Sequence, residues 1–183
     1  MSGIIKNHLF AAAGSKHEEL CDRARRWLRG TRKCEPVFSG IGSCAEIPDA
    51  IGWSSCYAWR GSTVIECKTS RSDFYSDRNK YLEYREADHG LSFPVSRIRA
   101  AEAEALGYKL HQLPSMGDFR FYMCDPGIIT VDLVEKVAPD HGLLYVGGPR
   151  VRVVRPAPRR DSVDKDSEIR YLRFAIVNKK RPF

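Results

Sequence analysis

Apolar positions first recur at helical spacing over residues 17–29. Leu20, Ala24, Trp27 and Leu28 fall at i, i+4, i+7 and i+8, the buried stripe of an amphipathic helix. Ser15 is placed to cap it, with Glu18 three residues on as the reciprocal partner, and Gly30 stops it. The pattern then changes to period two. Residues 34–39 predict a short strand, and residues 46–53 a second one entered through Pro48, since proline suits the first positions of a strand. Residues 62–69 predict a stronger strand, β-branched and apolar, with Thr63, Ile65, Cys67 and Thr69 on one face.

Ser70 or Ser72 caps a predicted helix over 73–86, with Phe74, Tyr81 and Leu82 near one stripe. A second helix is predicted over 96–106, rich in Ala and Glu and ended by Gly107. Residues 119–124 predict a strand closed by the turn Asp125-Pro126-Gly127. Residues 143–146 and 150–155 flank Gly147-Gly148-Pro149 and read as a hairpin. A polar linker over 156–166 leads to a closing helix over 168–179, with Ile169, Leu172 and Ile176 facing inward.

Composition sets the class. At 183 residues, 43% hydrophobic and 29% charged, the chain has the content of an ordinary globular domain rather than a disordered or fibrous one. No window approaches the roughly 18 uninterrupted apolar residues of a membrane span, and the short apolar patch at 9–13 lacks the form of an export signal. The six cysteines at 21, 34, 44, 56, 67 and 124 form no C-x-x-C pair. With no export signal, they are expected to be reduced thiols in a cytoplasmic protein.

Charge changes the picture at one end of the chain. Residues 1–149 balance 19 basic against 19 acidic residues, whereas residues 150–183 hold 11 basic and 4 acidic and carry the whole net charge of +7. An excess gathered in one segment suits a phosphate-bearing partner, although a solvated basic tail reads the same way.

The candidate chemistry lies in the central strands. Glu66 and Lys68 are two apart in a strand, so both side chains leave the same face, while Ile65 and Cys67 turn toward the core. If the neighbouring segment pairs as a hairpin, Asp49 arrives beside Glu66. Two carboxylates at close range repel unless a cation lies between them, and oxygen-only ligation favours Mg²⁺ or Mn²⁺. An ammonium alongside, from Lys68, can position water or stabilise charge on a phosphoryl group. The combination is that of metal-dependent phosphodiester hydrolysis.

The strings IPDAIGW, VIECKTSRSDF and MGDFRFYMCDPGII, followed by HGLLYV and VRVVRPAP, resemble the PD-(D/E)XK nuclease superfamily. Within it they are similar to the MmcB-like DNA-repair group and its phage- and prophage-borne relatives. That resemblance implies a restriction-endonuclease-like α/β fold of order α-β-β-β-α-β, a mixed β-sheet flanked by helices. Residues 91–113 would form a helical insertion, and 156–183 a basic linker and C-terminal helix, all within one nuclease-like domain. It implies DNA cleavage with Asp49, Glu66 and the backbone carbonyl of Cys67 as metal ligands and Lys68 as the catalytic lysine. A first-helix acid, Glu18 or Glu19, would also face the metal. His141 stands where relatives often have Trp.

DNA contacts are expected from Arg71, Arg78 and Lys80 beside the site and from Arg150, Arg152 and Arg155, with Arg159, Arg160 and residues 179–181 extending the footprint. Such contacts position the backbone without reading sequence. Ser70 and Asp73 are read as helix caps, Glu46 as a solvated loop acid, and His17 as a surface or capping residue. A DNA-binding adaptor without catalysis, and a nuclease acting on RNA, are the alternatives. A homodimer is compatible with double-strand cutting but is not encoded in any motif.

Overall fold

The computed structural model describes residues 15–41, 46–77, 82–86, 92–94 and 100–177. Its first element is α1 (Lys16–Gly30), which begins in the expected capping box: Ser15 Oγ accepts from the Glu18 N–H, and the Glu18 carboxylate accepts from the Ser15 N–H. Strands β1 (Val37–Phe38), β2 (Ala50–Ser54) and β3 (Gly61–Cys67) follow as an antiparallel meander, with Ala50 opposite Ile65 and Ser54 opposite Gly61. After α2 (Arg71–Asp77) come β4 (Leu82–Glu86), β5 (Ser92–Pro94), α3 (Ala100–Ala105) and β6 (Tyr108–Gln112). The chain then returns to the main sheet through β7 (Phe119–Cys124), α4 (Val131–Val137), β8 (His141–Gly147) and β9 (Arg150–Arg155), and α5 (Lys165–Val177) is the last described element.

The protein is an α/β fold built on a mixed six-stranded sheet of order β1-β2-β3-β7-β8-β9, in which β3-β7 and β7-β8 pair in parallel. Alternation along the strands feeds two separate cores. Ile65, Cys67, Phe121, Met123 and Leu144 pack against Leu20, Ala24, Trp27 and Leu28 of α1 on one face. On the other face, Tyr122 and Leu143 meet Phe74 of α2 and Val134 of α4, while Ile51 and Val64 meet Tyr171 and Ala175 of α5. Gly142 permits this packing: a Cβ there would lie 2.4 Å from the Phe121 ring and 2.7 Å from the Ala157 backbone nitrogen.

Three expectations are corrected. Of the helix expected over 73–86, the described part is Arg71–Asp77, and residues 82–86 instead form β4, the centre of a second, three-stranded antiparallel sheet of order β5-β4-β6. Pairing of β4 with β6 overrides the helical spacing of its apolar residues. The insertion is therefore strand as well as helix, and only Ala100–Ala105 of the expected 96–106 helix is seen, its first residues lying outside the described set. Finally, α5 turns a different face inward. Ile169 and Ile176 are 62% and 72% exposed, while Ser167, Glu168, Tyr171 and Ala175 are buried. Polar anchoring decides its orientation: the Glu168 carboxylate accepts from Ser62 Oγ at 2.6 Å and from the Gly117 N–H at 2.8 Å. Among the described residues, no helix is long and apolar enough to cross a membrane.

Candidate functional site

The end of β3 supplies the site because its residues point alternately to the two faces. Asp49, just before β2, lies next to this strand end, with its Oδ2 accepting from the Cys67 N–H at 2.7 Å. Its Oδ1 lies 3.3 Å from His17 Nε2 of α1. His17 Nδ1 in turn lies 3.6 Å from Cys21 Sγ, one helical turn further on. Cys21 packs against the core containing Cys67. A hydrogen bond with Cys67 lowers the Cys21 thiol pKa, and the same contact, with burial, raises that of Cys67.

Glu66 and Lys68 leave the opposite face, as alternation requires, and are buried in a charged network. Lys68 Nζ lies 3.1 Å from Asp77 of α2, 3.8 Å from Asp73 and 3.9 Å from Glu66. Arg120 of β7 reaches Glu66 at 3.5 Å and also bonds Glu46, whose second oxygen accepts from the Met116 N–H at 2.8 Å. Four carboxylates therefore surround Lys68 and Arg120. Burial raises the Glu66 carboxyl pKa to about 8; Arg120 opposes this, while the neighbouring Asp77 and Asp49 add to it.

The network continues along β8. Arg120 Nε donates to His141 Nε2 at 3.1 Å, and His141 Nδ1 donates to Asp140 at 2.7 Å. Those roles fix a neutral imidazole protonated on Nδ1. Burial depresses the His141 pKa. The ring stacks on Tyr122 at 4.7 Å.

Asp49, Glu66 and Lys68 all lie at the end of β3, Asp49 toward α1 and the other two toward α2 and β7, while the expected first-helix acids are engaged elsewhere. Glu18 is committed to the capping box and Glu19 to Lys16 at 3.1 Å, and the α1 residue that faces Asp49 is His17. Glu46 is not a solvated loop acid but 8% exposed, because it is a ligand of Arg120. Ser70 does cap α2, its Oγ accepting from the Asp73 N–H at 3.1 Å.

Among the expected DNA contacts, Arg71 is exposed but donates to the Ile128 carbonyl at 3.0 Å, and Arg78 and Lys80 lie outside the described residues. Arg150 is exposed on β9, and Arg152 lies over the Tyr145 ring at 5.9 Å. Arg155 is bound into the fold, donating to the carbonyls of Pro139 and His141. Two members of the extended footprint, Arg159 and Arg160, already have partners within the fold. Arg159 bonds the Arg60 carbonyl and Asp118, and Arg160 bonds Asp140 and the carbonyls of Ser115, Met116 and Gly117. Residues 179–181 lie outside the described set.

Sequence reasoning missed Arg120 and Asp77 as parts of the site. Arg120 had a signal: a lone cation in the otherwise apolar string FRFYMC must find buried partners. Asp77 stands one helical turn beyond Asp73, a spacing that puts both acids on one face of α2.

No protein-family model matches the chain, and no curated protein does. Among solved structures it is similar to SPO1766, a protein of unknown function from Silicibacter pomeroyi, with a TM-score of 0.48 and 19% identity over 88% of this chain and 86% of that one.

Proposed function

We propose that the protein is a Mg²⁺- or Mn²⁺-dependent nuclease that hydrolyses DNA phosphodiester bonds, with Asp49, Glu66 and Lys68 as its working side chains. The observation that carries this reading is the bond from the Cys67 N–H to Asp49, which fixes one carboxylate beside the strand end that bears the other two groups. With β4, β5, α3 and β6 set aside as an insertion, the order α1, β1, β2, β3, α2, β7 is compatible with the α-β-β-β-α-β sequence of a restriction-endonuclease-like core.

The donor set fits a hard divalent ion. It is built of carboxylate and carbonyl oxygens, and the raised Glu66 pKa reflects burial and acidic neighbours that a cation would offset. Asp49, Glu66 and the Cys67 carbonyl would hold the ion, and Glu18 and Glu19 are not needed. When bound, such an ion polarises a phosphoryl oxygen and lowers the pKa of a coordinated water. Arg120 favours the ionised form of Glu66. Asp77 holds the Lys68 ammonium at 3.1 Å, where its charge can oppose that developing on the phosphate. Arg150 and Arg152, exposed on the edge strand β9, would supply phosphate contacts to a DNA backbone.

A second reading, a DNA-binding adaptor without catalysis, is favoured by one observation. Glu66 and Lys68 are only 2% and 3% exposed, closed in by their own ion pairs. Incubating the protein with single-stranded DNA, duplex DNA and RNA, with and without Mg²⁺, separates these readings. Metal-dependent DNA cleavage that is lost in Asp49→Ala supports the nuclease. Salt-sensitive binding indifferent to metal supports the adaptor, and preferential RNA cleavage reassigns the substrate.

A further inference from the structure

On the α1 side of the same strand end we infer a second kind of site, a soft transition-metal site for Zn²⁺ or a chemically similar ion, formed by His17, Cys21 and Asp49. His17 and Cys21 are four residues apart on α1, the spacing that places two side chains one above the other on a helix face. The start of β2 brings Asp49 to meet them. One donor atom from each of the three residues can be chosen so that all lie within 4.8 Å of one another.

The separations suit a metal. A tetrahedral zinc ion with bonds of about 2.0 Å to nitrogen and oxygen and about 2.3 Å to sulfur holds neighbouring donors about 3.3–3.6 Å apart. The observed pairs are 3.3 Å for His17–Asp49 and 3.6 Å for His17–Cys21. These pairs use different nitrogens of the imidazole, so binding requires the ring to turn until one nitrogen serves the ion. His17 is 44% exposed in its side chain, which leaves it room to do so.

Donor chemistry separates this site from the proposed magnesium site. A thiolate and an imidazole select zinc-like ions and are poor ligands for Mg²⁺. Three protein ligands leave a fourth position open, and a cleft of about 590 Å³ lined by Glu18, Glu19, Cys21, Asp22 and Arg25 adjoins it. The same three residues resemble a thiol–imidazole–carboxylate relay. However, backbone N–H groups around Cys21 are used within α1, and the Cys67 N–H is used by Asp49, so these backbone groups are not available to an oxyanion. Metal binding needs no such donors. On binding, the Cys21 thiol releases its proton to solvent and the sulfur lone pair forms the bond to the ion.

The inference goes beyond the nuclease reading and shares only Asp49 with it. Titrating the reduced, full-length protein with Co²⁺ tests it without any activity assay. The expected result is one thiolate-bound ion per chain, reported by a thiolate-to-cobalt charge-transfer band in the near ultraviolet that added Zn²⁺ removes. Cys21→Ser should abolish the band, and Cys56→Ser, at an exposed thiol elsewhere, should retain it. His17→Ala should weaken binding by more than the roughly 10-fold that loss of even an outer-shell partner costs. Saturating Co²⁺ without a thiolate band, or a band that survives Cys21→Ser, would overturn the assignment, whether or not the protein cleaves DNA.

Discussion

The two sides of Cys67 hold charge in opposite ways. Toward α1, Asp49 and His17 are part-exposed, with side chains 20% and 44% accessible, and each makes few contacts. Toward α2 and β7, Glu66, Lys68, Arg120 and Asp77 are all 3% exposed or less and are tied into one network. The same strand feeds both, because its side chains alternate. The lesson is one of accessibility: the charges on the α2 side are satisfied within the protein, while Asp49 and His17 remain reachable from solvent.

The contrast can be broken most forcefully at Arg120. Replacing it with Ala leaves Glu46 and Glu66 buried without their shared cation, which should cost about 3–5 kcal/mol in urea unfolding. Asp49→Asn, which can still accept from the Cys67 N–H, should cost no more than about 1 kcal/mol. Equal losses from the two substitutions would erase the distinction between the regions.

The proposed nuclease reading is sharpened by Lys68. On that reading, Lys68→Ala should reduce Mg²⁺-dependent cleavage by roughly 10²–10³-fold, the usual consequence of removing one preorganised charge-stabilising group. Single-turnover assays on duplex and single-stranded DNA, run on samples verified as folded, provide the check.

A smaller effect appears with pH. Because the folded Glu66 pKa is raised to about 8 from 4.5, the native state holds a proton that the unfolded chain has already released. Its contribution to stability is therefore fully present at low pH and is lost as pH rises through about 8. His141 has the opposite sign: its depressed pKa costs stability as pH falls below its ordinary 6.5. Between pH 6.5 and 8 the metal-free protein should lose stability on the order of 1 kcal/mol. Glu66→Gln should remove that slope, as chemical denaturation at the two pH values would show. A change of similar size but local reach is expected at Ser15, where Ala should cost about 1 kcal/mol by releasing the cap of the helix that carries His17 and Cys21. Hydrogen exchange at the first turn of α1 reports it.

The elements readable from the sequence were those with strong local signals. The cap and stripe of α1, the β-branched run of β3 and the Gly147-Gly148 turn between β8 and β9 all declare themselves within a few residues. The failures came where distant partners decide. Residues 82–86 become strand because β6 lies beside them, and α5 rotates because Glu168 finds Ser62 and Gly117. The short helix α4, capped by Thr130, went unread in a seven-residue window with little periodic content. The site divides in the same way. Glu66 and Lys68 share a face by period two alone, whereas Arg120 reaches Glu66 only because β7 pairs in parallel with β3, setting Arg120 opposite Val64. His17 gave no sign in the sequence that it would meet Asp49, since nothing local ties α1 to the start of β2.

The central claim is that Asp49 and Glu66 together hold a divalent cation at the end of β3. Crystals soaked in Mn²⁺ test it directly through the anomalous signal of the metal. The account predicts a peak bridging Asp49 and Glu66 within bonding distance of the Cys67 carbonyl. A map with no peak there at saturating Mn²⁺, with Glu66 still held by Arg120 and Lys68, would contradict it.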